Sequence, residues 1–221
     1  MNKNINSPDF NDNREYNYSD CKEETRLEYS LISDLIPQNS KVIDLGCGNG
    51  SLMKILELKN CKITGVEISE SGVRICRSKG LNVIQGRIDI PLEFGENEFD
   101  YSVCNVTIQM VMYPEILLRE MKRISKYQII SFPNFGFYKN RFELLLAGRM
   151  PTSMLFGYKW FSTGHIHQLS IKDFYELLDS VKGIQIKEMK FIRTNNSLKN
   201  FAMNNFPNSF LILPVFLLEK L

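Results

Sequence analysis

The sequence predicts an α/β domain built around a mostly parallel sheet, and three observations carry that prediction. An apolar run at residues 42–50 ends in three glycines that are spaced two apart. A second run of strand length follows at residues 62–68 and places an acid, Glu67, near its end. Strand and helix patterns alternate in the order αβαβαβ up to residue 85, which is typical of parallel strands joined by crossover helices.

The first half of the chain has clear start and stop signals for its elements. Three strands are predicted here, at residues 41–45, 62–68 and 82–85. An amphipathic helix is predicted over residues 23–36, because apolar residues recur there at helical spacing and Pro37 ends the run. A second helix begins near Gly50, and a third, over residues 70–79, has Ser69 as its N-cap.

The second half continues the alternation and then changes character. Its strands are predicted at residues 99–105, 128–132, 184–193 and 211–218. Helices are predicted at residues 114–125, 138–147 and from 170 onward. Pro114 occupies a favourable first helical position, Gly148 ends its helix, and Ser170 with Asp173 forms a capping box. The last two strands are predicted to pair antiparallel at the edge of the sheet.

The length of 221 residues, with 43% hydrophobic and 24% charged residues, suits one globular domain. Residues 1–22 are polar and are predicted to be a flexible leader, so the domain spans residues 23–221. Within it, residues 149–168 lack a regular period. An irregular segment of that length in a compact domain is predicted to be a lid or a partner-binding segment.

Composition also argues against several classes of partner and site. A net charge of +2 with evenly scattered basic residues predicts no nucleic-acid partner. Five cysteines without a C-x-x-C pair indicate reduced thiols and no metal site. The first residues lack the apolar region of a secretory signal, and the longest apolar run, at 210–218, is too short to span a bilayer. A cytoplasmic protein with no membrane span is therefore predicted.

The glycine turn at residues 46–50 predicts a ligand site at the end of the first strand. Glycine lets the backbone take positive φ and approach a ligand closely. The spacing G-x-G-x-G differs from the G-x-G-x-x-G of dinucleotide-binding turns, and Asp44 would repel a pyrophosphate. S-adenosylmethionine carries an ammonium and a sulfonium and no phosphate, so it fits better. The alternatives are an NAD site, which the spacing disfavours, and a structural turn that binds nothing.

A second acid strengthens the prediction of a nucleoside ligand. Glu67 lies 23 positions after Asp44, at the end of the next strand, where an acid is placed to accept both ribose hydroxyls. Asn105 lies at the end of a further strand. Because the carboxyl ends of parallel strands share one edge, these side chains are expected to line one pocket. Cys47 lies within the turn and is a candidate lining residue, although its small size explains its presence equally well.

Short motifs from residue 24 onward match a known protein family. They include VIDLGCGNG at 42–50, GVEI at 65–68, SFPNFG at 131–136 and LLAGRMP at 145–151. The chain is similar to the Rossmann-like class I S-adenosylmethionine-dependent methyltransferases, and within them it most resembles the MetW family of methionine biosynthesis. The resemblance implies a mostly parallel seven-stranded sheet with helices on both faces and an antiparallel edge strand.

The resemblance also implies roles for individual residues. Together with Cys47, the implied cofactor-binding residues are Asp44, Gly46, Gly48, Glu67, Ile68, Arg87, Ile88 and Asn105. Asp44 and the glycines would hold the methionine end, and Asn105 would face the sulfonium. Arg87 stands where the family usually has an acid beside the adenine, and Asp89 offers a substitute for that acid.

Two functions remain open from the sequence. The first is a methyltransferase that uses S-adenosylmethionine, releases S-adenosylhomocysteine and acts on an unidentified small-molecule substrate. A base is needed only if the acceptor must lose a proton, and His165 and His167 are the candidates. The second is a non-catalytic protein that binds either nucleoside and regulates a homoserine O-acyltransferase partner, which the resemblance to MetW implies.

Overall fold

A computed structural model describes Tyr18, residues 26–152, Trp160 and residues 163–221 of the chain. The described strands are β1 (Lys41–Leu45), β2 (Lys62–Glu67), β3 (Val83–Gln85), β4 (Phe99–Asn105), β5 (Ser125–Ser131), β6 (Ile184–Lys190) and β7 (Val215–Lys220). They form one sheet in the order β3-β2-β1-β4-β5-β7-β6. The strands β1 to β5 pair in parallel, and β7 runs antiparallel to both β5 and β6. The predicted fold class is confirmed, with the antiparallel strand placed one position in from the edge strand β6.

The helices join these strands along the two faces of the sheet. They are α1 (Leu27–Leu35), α2 (Ser51–Glu57), α3 (Glu70–Ser78), α4 (Pro114–Ile124), α5 (Tyr138–Ala147), α6 (Ile171–Val181), α7 (Ser197–Asn205) and α8 (Pro207–Phe210). The hydroxyl of Ser69 accepts a hydrogen bond from the main-chain N–H of Gly72 at 3.4 Å. The capping box of Ser170 and Asp173 is also present. None of the helices described is long and apolar enough to cross a membrane.

Adjacent residues of the same strand enter different parts of the core. Val42 packs with α1 and α2, whereas Ile43 packs with α4 and α6. Ile129 and Ile130 of β5 divide in the same way. Because successive side chains of a strand point to opposite faces, the two clusters lie on opposite sides of the sheet. The predicted helices on both faces are confirmed.

Some element bounds differ from the prediction. The strand β5 begins at Ser125, three residues earlier than predicted, immediately after α4. The hydroxyl of Ser125 donates to the carbonyl oxygen of Met121 at 2.8 Å. No loop separates α4, which ends at Ile124, from β5, which begins at the next residue. The helices α7 and α8 were not predicted. In α7, the side-chain oxygen of Asn196 accepts the N–H of Lys199 at 3.0 Å, which caps the helix.

Strand pairing brings the predicted polar residues to one edge. Asp44 is in register with Gly65 of β2 and with Val103 of β4. Glu67 is in register with Gln85 of β3. The carboxyl ends of β1, β2, β3 and β4 therefore lie side by side, where ligands of such sheets bind.

Candidate functional site

The glycine turn between β1 and α2 requires glycine for two independent reasons. Gly46, Gly48 and Gly50 have φ angles of +82°, +56° and +75°, which L side chains rarely adopt. A Cβ at Gly46 would lie 2.6 Å from Cγ2 of Thr107, and one at Gly50 would run into Leu81. The turn is therefore held closely between β4 and α3, with its main chain at the carboxyl edge of the sheet.

Glu67 holds the turn and the start of α3 together. Its Oε2 accepts the N–H of Gly48 at 2.7 Å, and its Oε1 accepts the N–H of Ser69 at 2.8 Å. The residue is 4% exposed. The carboxylate therefore lies at the carboxyl end of β2, against the main chain of both the glycine turn and the start of α3.

Asp44 is a buried carboxylate near the end of β1. The residue is 2% exposed, and no donor from the described part of the chain reaches its carboxylate oxygens. Burial, and then the negative charge of Glu67, raises the pKa of Asp44 from an ordinary value of 3.8 to about 7. A buried acid in this state is stabilised by a cation placed against it.

Cys47 forms part of the inner wall of the turn. Its Sγ packs so closely on β2 that a Cβ at Gly65 would lie 2.6 Å from it. The pKa of the Cys47 thiol lies above its usual range, mainly because of a hydrogen bond with Cys76 and to a smaller extent because the thiol is buried. Cys47 therefore stays protonated and packs as a small apolar group, and this contact explains its small size.

Arg87 and Asp89 form a two-pronged ion pair after β3. The Nε and Nη2 of Arg87 each donate to one oxygen of Asp89 at 2.9 Å. The main-chain N–H groups of Met112 and Tyr113 also donate to Oδ2, at 2.9 and 3.2 Å. Burial acts to raise the pKa of Asp89, but hydrogen bonds from Arg87 bring it below its ordinary value. Asp89 is thus bound by internal partners, and its role as a substitute for the missing acid beside an adenine stays a prediction.

Two further predicted cofactor-binding residues, Ile68 and Ile88, differ in exposure. Ile68 is half-buried just beyond β2, and its carbonyl oxygen accepts Nε2 of Gln85 at 3.5 Å. Ile88 is 6% exposed and belongs to the core on the α4 side of the sheet. Ile68 is therefore the more accessible of the two apolar contacts at this edge.

The chain beyond β4 is strained and lies against the glycine turn. Asn105 ends the strand, and its Oδ1 accepts the hydroxyl of Ser131. Val106 has a φ of +52°, which is rare for a β-branched residue and costs roughly 1–3 kcal/mol. Its N–H donates to the carbonyl oxygen of Ser131 at 3.0 Å. This bend places the next residue, Thr107, in contact with Gly46.

The predicted histidines lie beside the short 3-10 turn at Ile108–Met110. The main-chain N–H groups of Ile166 and His167 both donate to the carbonyl oxygen of Gln109, at 2.9 and 3.0 Å. His165 is half-buried, with its ring 6.5 Å from that of Phe135. The structure therefore brings the end of the irregular segment 149–168 to the end of β4. Residues 153–159, 161 and 162 of that segment lie outside the described residues.

Gln109 is a candidate that the sequence pattern did not single out. It is 1% exposed, and its Oε1 is buried without a hydrogen-bond partner among the residues described. The ring atom Nε2 of His167 is also buried without a hydrogen-bond partner among the residues described. The available signal was an amide within the otherwise apolar run at 108–112.

Tyr18 packs against the glycine turn. Its ring approaches to 3.4 Å of the position that a Cβ on Gly48 would occupy. Its main-chain N–H donates to the hydroxyl of Ser71 at 3.2 Å. Tyr18 belongs to the predicted leader, whose other residues lie outside the described ones, so the prediction of a flexible leader stays a prediction.

These groups fit S-adenosylmethionine as a ligand. Asp44 offers to a cation a carboxylate that no described residue pairs, Glu67 places a second acid at the end of the neighbouring strand, and the glycine main chain permits close approach. A pyrophosphate would meet the charges of both acids. Across the described ranges, no three His, Cys, Asp or Glu side chains are grouped so that they could hold a metal ion.

Solved structures share this fold. An S-adenosylmethionine-dependent methyltransferase from Mesorhizobium loti superposes with a TM-score of 0.63 at 13% identity, covering 90% of this chain and all of that one. A methyltransferase from Thermotoga maritima, described as a possible histamine N-methyltransferase, gives a TM-score of 0.62 at 20% identity, covering 88% of both chains. At these identities the likeness establishes the fold alone.

Comparison with proteins of similar sequence gives more specific relatives than the fold does. The chain is 31% identical over 174 residues to the bifunctional methionine biosynthesis protein MetXA/MetW of Rhodopirellula baltica, covering 74% of this chain and 28% of that protein. It is 27% identical over 134 residues to the carboxy-S-adenosyl-L-methionine synthase of Campylobacter jejuni, covering 55% of each. The chain thus spans between about a quarter and about half of the length of these relatives.

The family model named for methionine biosynthesis protein MetW matches residues 26–218, which include β1 to β6, most of β7 and both acids of the site. The predicted family is confirmed. With its fold, its glycine turn and this match taken together, the chain belongs to the MetW family.

Proposed function

We propose that this protein binds S-adenosylmethionine and catalyses methyl transfer to a small-molecule acceptor. The observation that carries the proposal is the carboxylate of Asp44, which is 2% exposed and has no donor among the described residues. Such a group beside a glycine turn calls for a cationic ligand, and the acid at the end of the neighbouring strand suits a nucleoside.

Each residue of the proposed site has a defined task. When bound, S-adenosylmethionine would supply an electrophilic methyl group and leave as neutral S-adenosylhomocysteine. Asp44 balances the ammonium, Glu67 accepts the ribose hydroxyls, and Asn105 faces the sulfonium. The remaining proposed contacts are with Gly46, Cys47, Gly48, Ile68, Arg87 and Ile88. The protein accelerates the reaction mainly by holding the acceptor close to the methyl group.

Calorimetry with matched variants tests the cofactor site. We expect wild-type protein to bind S-adenosylmethionine and S-adenosylhomocysteine more tightly than NADH. Asp44→Asn and Glu67→Gln should weaken that binding about tenfold or more, because each removes a charge that contacts the ligand. Asp179→Asn and Glu176→Gln, at exposed positions of α6, are the matched controls. Unchanged affinity in both site variants would overturn the proposed site.

Isotope transfer tests catalysis separately from binding. Purified protein is incubated with methyl-labelled S-adenosylmethionine and the small-molecule fraction of a cell extract. Label should pass to a metabolite in a reaction that Asp44→Asn slows and Asp179→Asn leaves unchanged. Tight cofactor binding with no labelled product would contradict the enzymatic proposal and favour a regulatory role.

A regulatory role has one observation of its own in favour, which is the exposed apolar surface of α5. The side chains of Phe142, Leu144, Leu145 and Leu146 are between 52% and 80% exposed. Clusters of exposed apolar side chains often mark interaction surfaces. In the relative from Rhodopirellula baltica, the MetW part is fused to MetXA in one polypeptide. The second candidate function is therefore binding, through α5, of a homoserine O-acyltransferase of the MetXA kind.

Size-exclusion chromatography of the two purified proteins tests this second candidate. A stable complex is expected, and Leu145→Glu with Leu146→Glu should abolish it because charges cannot be buried unpaired in an apolar contact. Leu58→Glu, at a position that is 86% exposed elsewhere on the surface, is the matched control. Failure to form a complex, or self-association that the α5 variant alone removes, would contradict the acyltransferase as the occupant of this surface.

A further inference from the structure

We infer that Gln109 and His167 bind the methyl acceptor, and that the acceptor presents an amino group to them. The inference rests on the proposed function and specifies its substrate class.

A continuous set of contacts places these residues next to the cofactor turn. Gly46 of the turn contacts Thr107, which lies two residues before Gln109. The carbonyl oxygen of Gln109 then accepts the main-chain N–H of His167 at 3.0 Å. Since β4 pairs with β1 at the level of Asp44, this group of residues lies just beyond the predicted position of the sulfonium.

The side-chain amide of Gln109 is oriented by one hydrogen bond, and its oxygen has no partner among the described residues. Its Nε2 donates to the carbonyl oxygen of Val106 at 2.9 Å, so its Oε1 is directed elsewhere. That Oε1 is buried and accepts no hydrogen bond from any residue described. A buried polar atom without a partner is rare in folded proteins and is stabilised by a ligand that supplies one.

His167 provides the second unused atom. Its Nε2 is buried without a partner in the described ranges, although its main chain is anchored to Gln109. A neutral imidazole nitrogen can accept a hydrogen bond or a proton, and a protonated one can donate. The amide oxygen and the ring nitrogen thus present an acceptor and a proton-exchanging group from residues that are hydrogen-bonded to each other.

The chemistry of these two atoms selects the class of acceptor. An amino group carries more than one proton, so it can donate one to Oε1 of Gln109 and exchange another with Nε2 of His167, whereas a hydroxyl has one proton and cannot do both. A carboxylate or phosphate has no proton to donate to the amide oxygen, and it would be repelled by the nearby Asp44. Arg87, which lies two residues beyond β3 at this edge, is already paired with Asp89. The site therefore favours neutral or cationic acceptors.

The same arrangement accounts for the proton in the reaction. The acceptor nitrogen forms a bond to the methyl carbon while the carbon–sulfur bond breaks, one of its protons passes to Nε2 of His167, and another stays hydrogen-bonded to Gln109. The hydrogen bond to Gln109 directs the acceptor lone pair during this step.

Histidine-selective NMR tests binding without relying on turnover, because the chain contains two histidines. The His165→Gln variant assigns the two ring signals. Ethanolamine, which carries both a hydroxyl and an amine, is titrated into protein saturated with S-adenosylhomocysteine, and acetate is titrated in parallel. We expect ethanolamine to shift the His167 ring signals in a saturable way and acetate to leave them in place.

Variants then assign the effect to the pair. Gln109→Leu should weaken ethanolamine binding about tenfold while leaving the affinity for S-adenosylhomocysteine unchanged. Gln185→Leu, on an exposed position of β6, should change neither. His167 signals that ethanolamine does not move, in wild-type protein with S-adenosylhomocysteine bound, would overturn this inference alone. Absence of S-adenosylhomocysteine binding would instead overturn the proposed function together with it.

Discussion

Glu67 accepts the main-chain N–H of Gly48 at 2.7 Å, so the acid that we expect to hold a ribose also holds the glycine turn. Its other oxygen holds the first residue before α3 in the same way. The carboxylate of Glu67 thus stabilises the local main chain at the ends of β1 and β2 and is also expected to contact the ligand.

Replacing this acid should therefore affect stability as well as binding. In Glu67→Gln, one oxygen becomes an amide group that faces a main-chain N–H, so one hydrogen bond is lost. We expect the free energy of unfolding to fall by about 1–3 kcal/mol, measured by urea denaturation without ligand. Glu188→Gln, on the exposed edge strand β6, is the control. Equal stability of the Glu67 variant and wild type would show that the turn does not depend on this carboxylate.

Asp44 should make the ligand-free protein less stable as the pH rises. Its folded-state pKa of about 7 lies above its ordinary value of 3.8, so between these values the unfolded chain loses the proton first. The contribution of Asp44 to the free energy of unfolding is complete below about pH 4 and declines until about pH 7, by up to about 4 kcal/mol. Asp44→Asn should remove this decline and be the more stable protein at pH 8.

Urea denaturation at intervals from pH 5 to pH 8 measures this difference. The quantity of interest is the gap between Asp44→Asn and wild type, because other groups titrate equally in both. A gap that stays constant over this range would mean that the Asp44 carboxyl keeps an ordinary pKa.

The affinity for S-adenosylmethionine should depend on pH in the opposite direction. The ionised carboxylate of Asp44 is the form that balances an ammonium group, and its ionised fraction rises through pH 7. Calorimetry should therefore show tighter binding at pH 8 than at pH 6 in wild type and little change in Asp44→Asn. A variant that retains the full pH dependence would assign it to another group.

The ion pair of Arg87 and Asp89 should be structural. In Arg87→Ala, the buried carboxylate of Asp89 keeps its two main-chain donors but loses its counter-ion, and we expect a loss of about 3 kcal/mol in unfolding free energy. Arg87→Lys should recover only part of it, since an ammonium group cannot bind both oxygens in the same geometry. Thermal and urea denaturation measure both variants.

The exposed ion pair of Arg74 and Glu70 on α3 provides the comparison. Removing it with Arg74→Ala should change the stability by less than about 0.5 kcal/mol, because solvent screens such pairs. If Arg87→Ala were as mild as Arg74→Ala, the Asp89 carboxylate would not need its partner.

Local signals explain which elements the sequence predicts well. Ser69, the Ser170 capping box and Gly148 act through neighbouring main-chain groups, so their helices can be located from a few residues. The helix α7 lacked such a pattern in its apolar residues, since Leu198 and Phe201 are 77% and 61% exposed and form no core-facing stripe. The spacing of apolar residues does not predict a helix whose apolar residues face outward.

The same division applies to the candidate site. Asp44 and Glu67 could be placed from spacing because each ends a strand of a parallel pair. The hydrogen bonds that Asp89 accepts could not be predicted in this way, since its donors Met112 and Tyr113 lie 23 and 24 positions away in the sequence. The unused oxygen of Gln109 is visible only when all contacts of the folded chain are known.

The position of β7 also determines when this protein can complete its fold during synthesis. The strand comes late in the chain, but it lies between β5 and β6, and its Val215 and Leu217 pack in the same core cluster as Tyr29 and Ile32 of α1. Until the ribosome has released residue 220, β5 has an open edge and α1 lacks part of its packing surface. Between the synthesis of β5 and that of β7, the nascent protein therefore carries an unpaired strand edge, which is a condition in which chaperones protect a chain from aggregation.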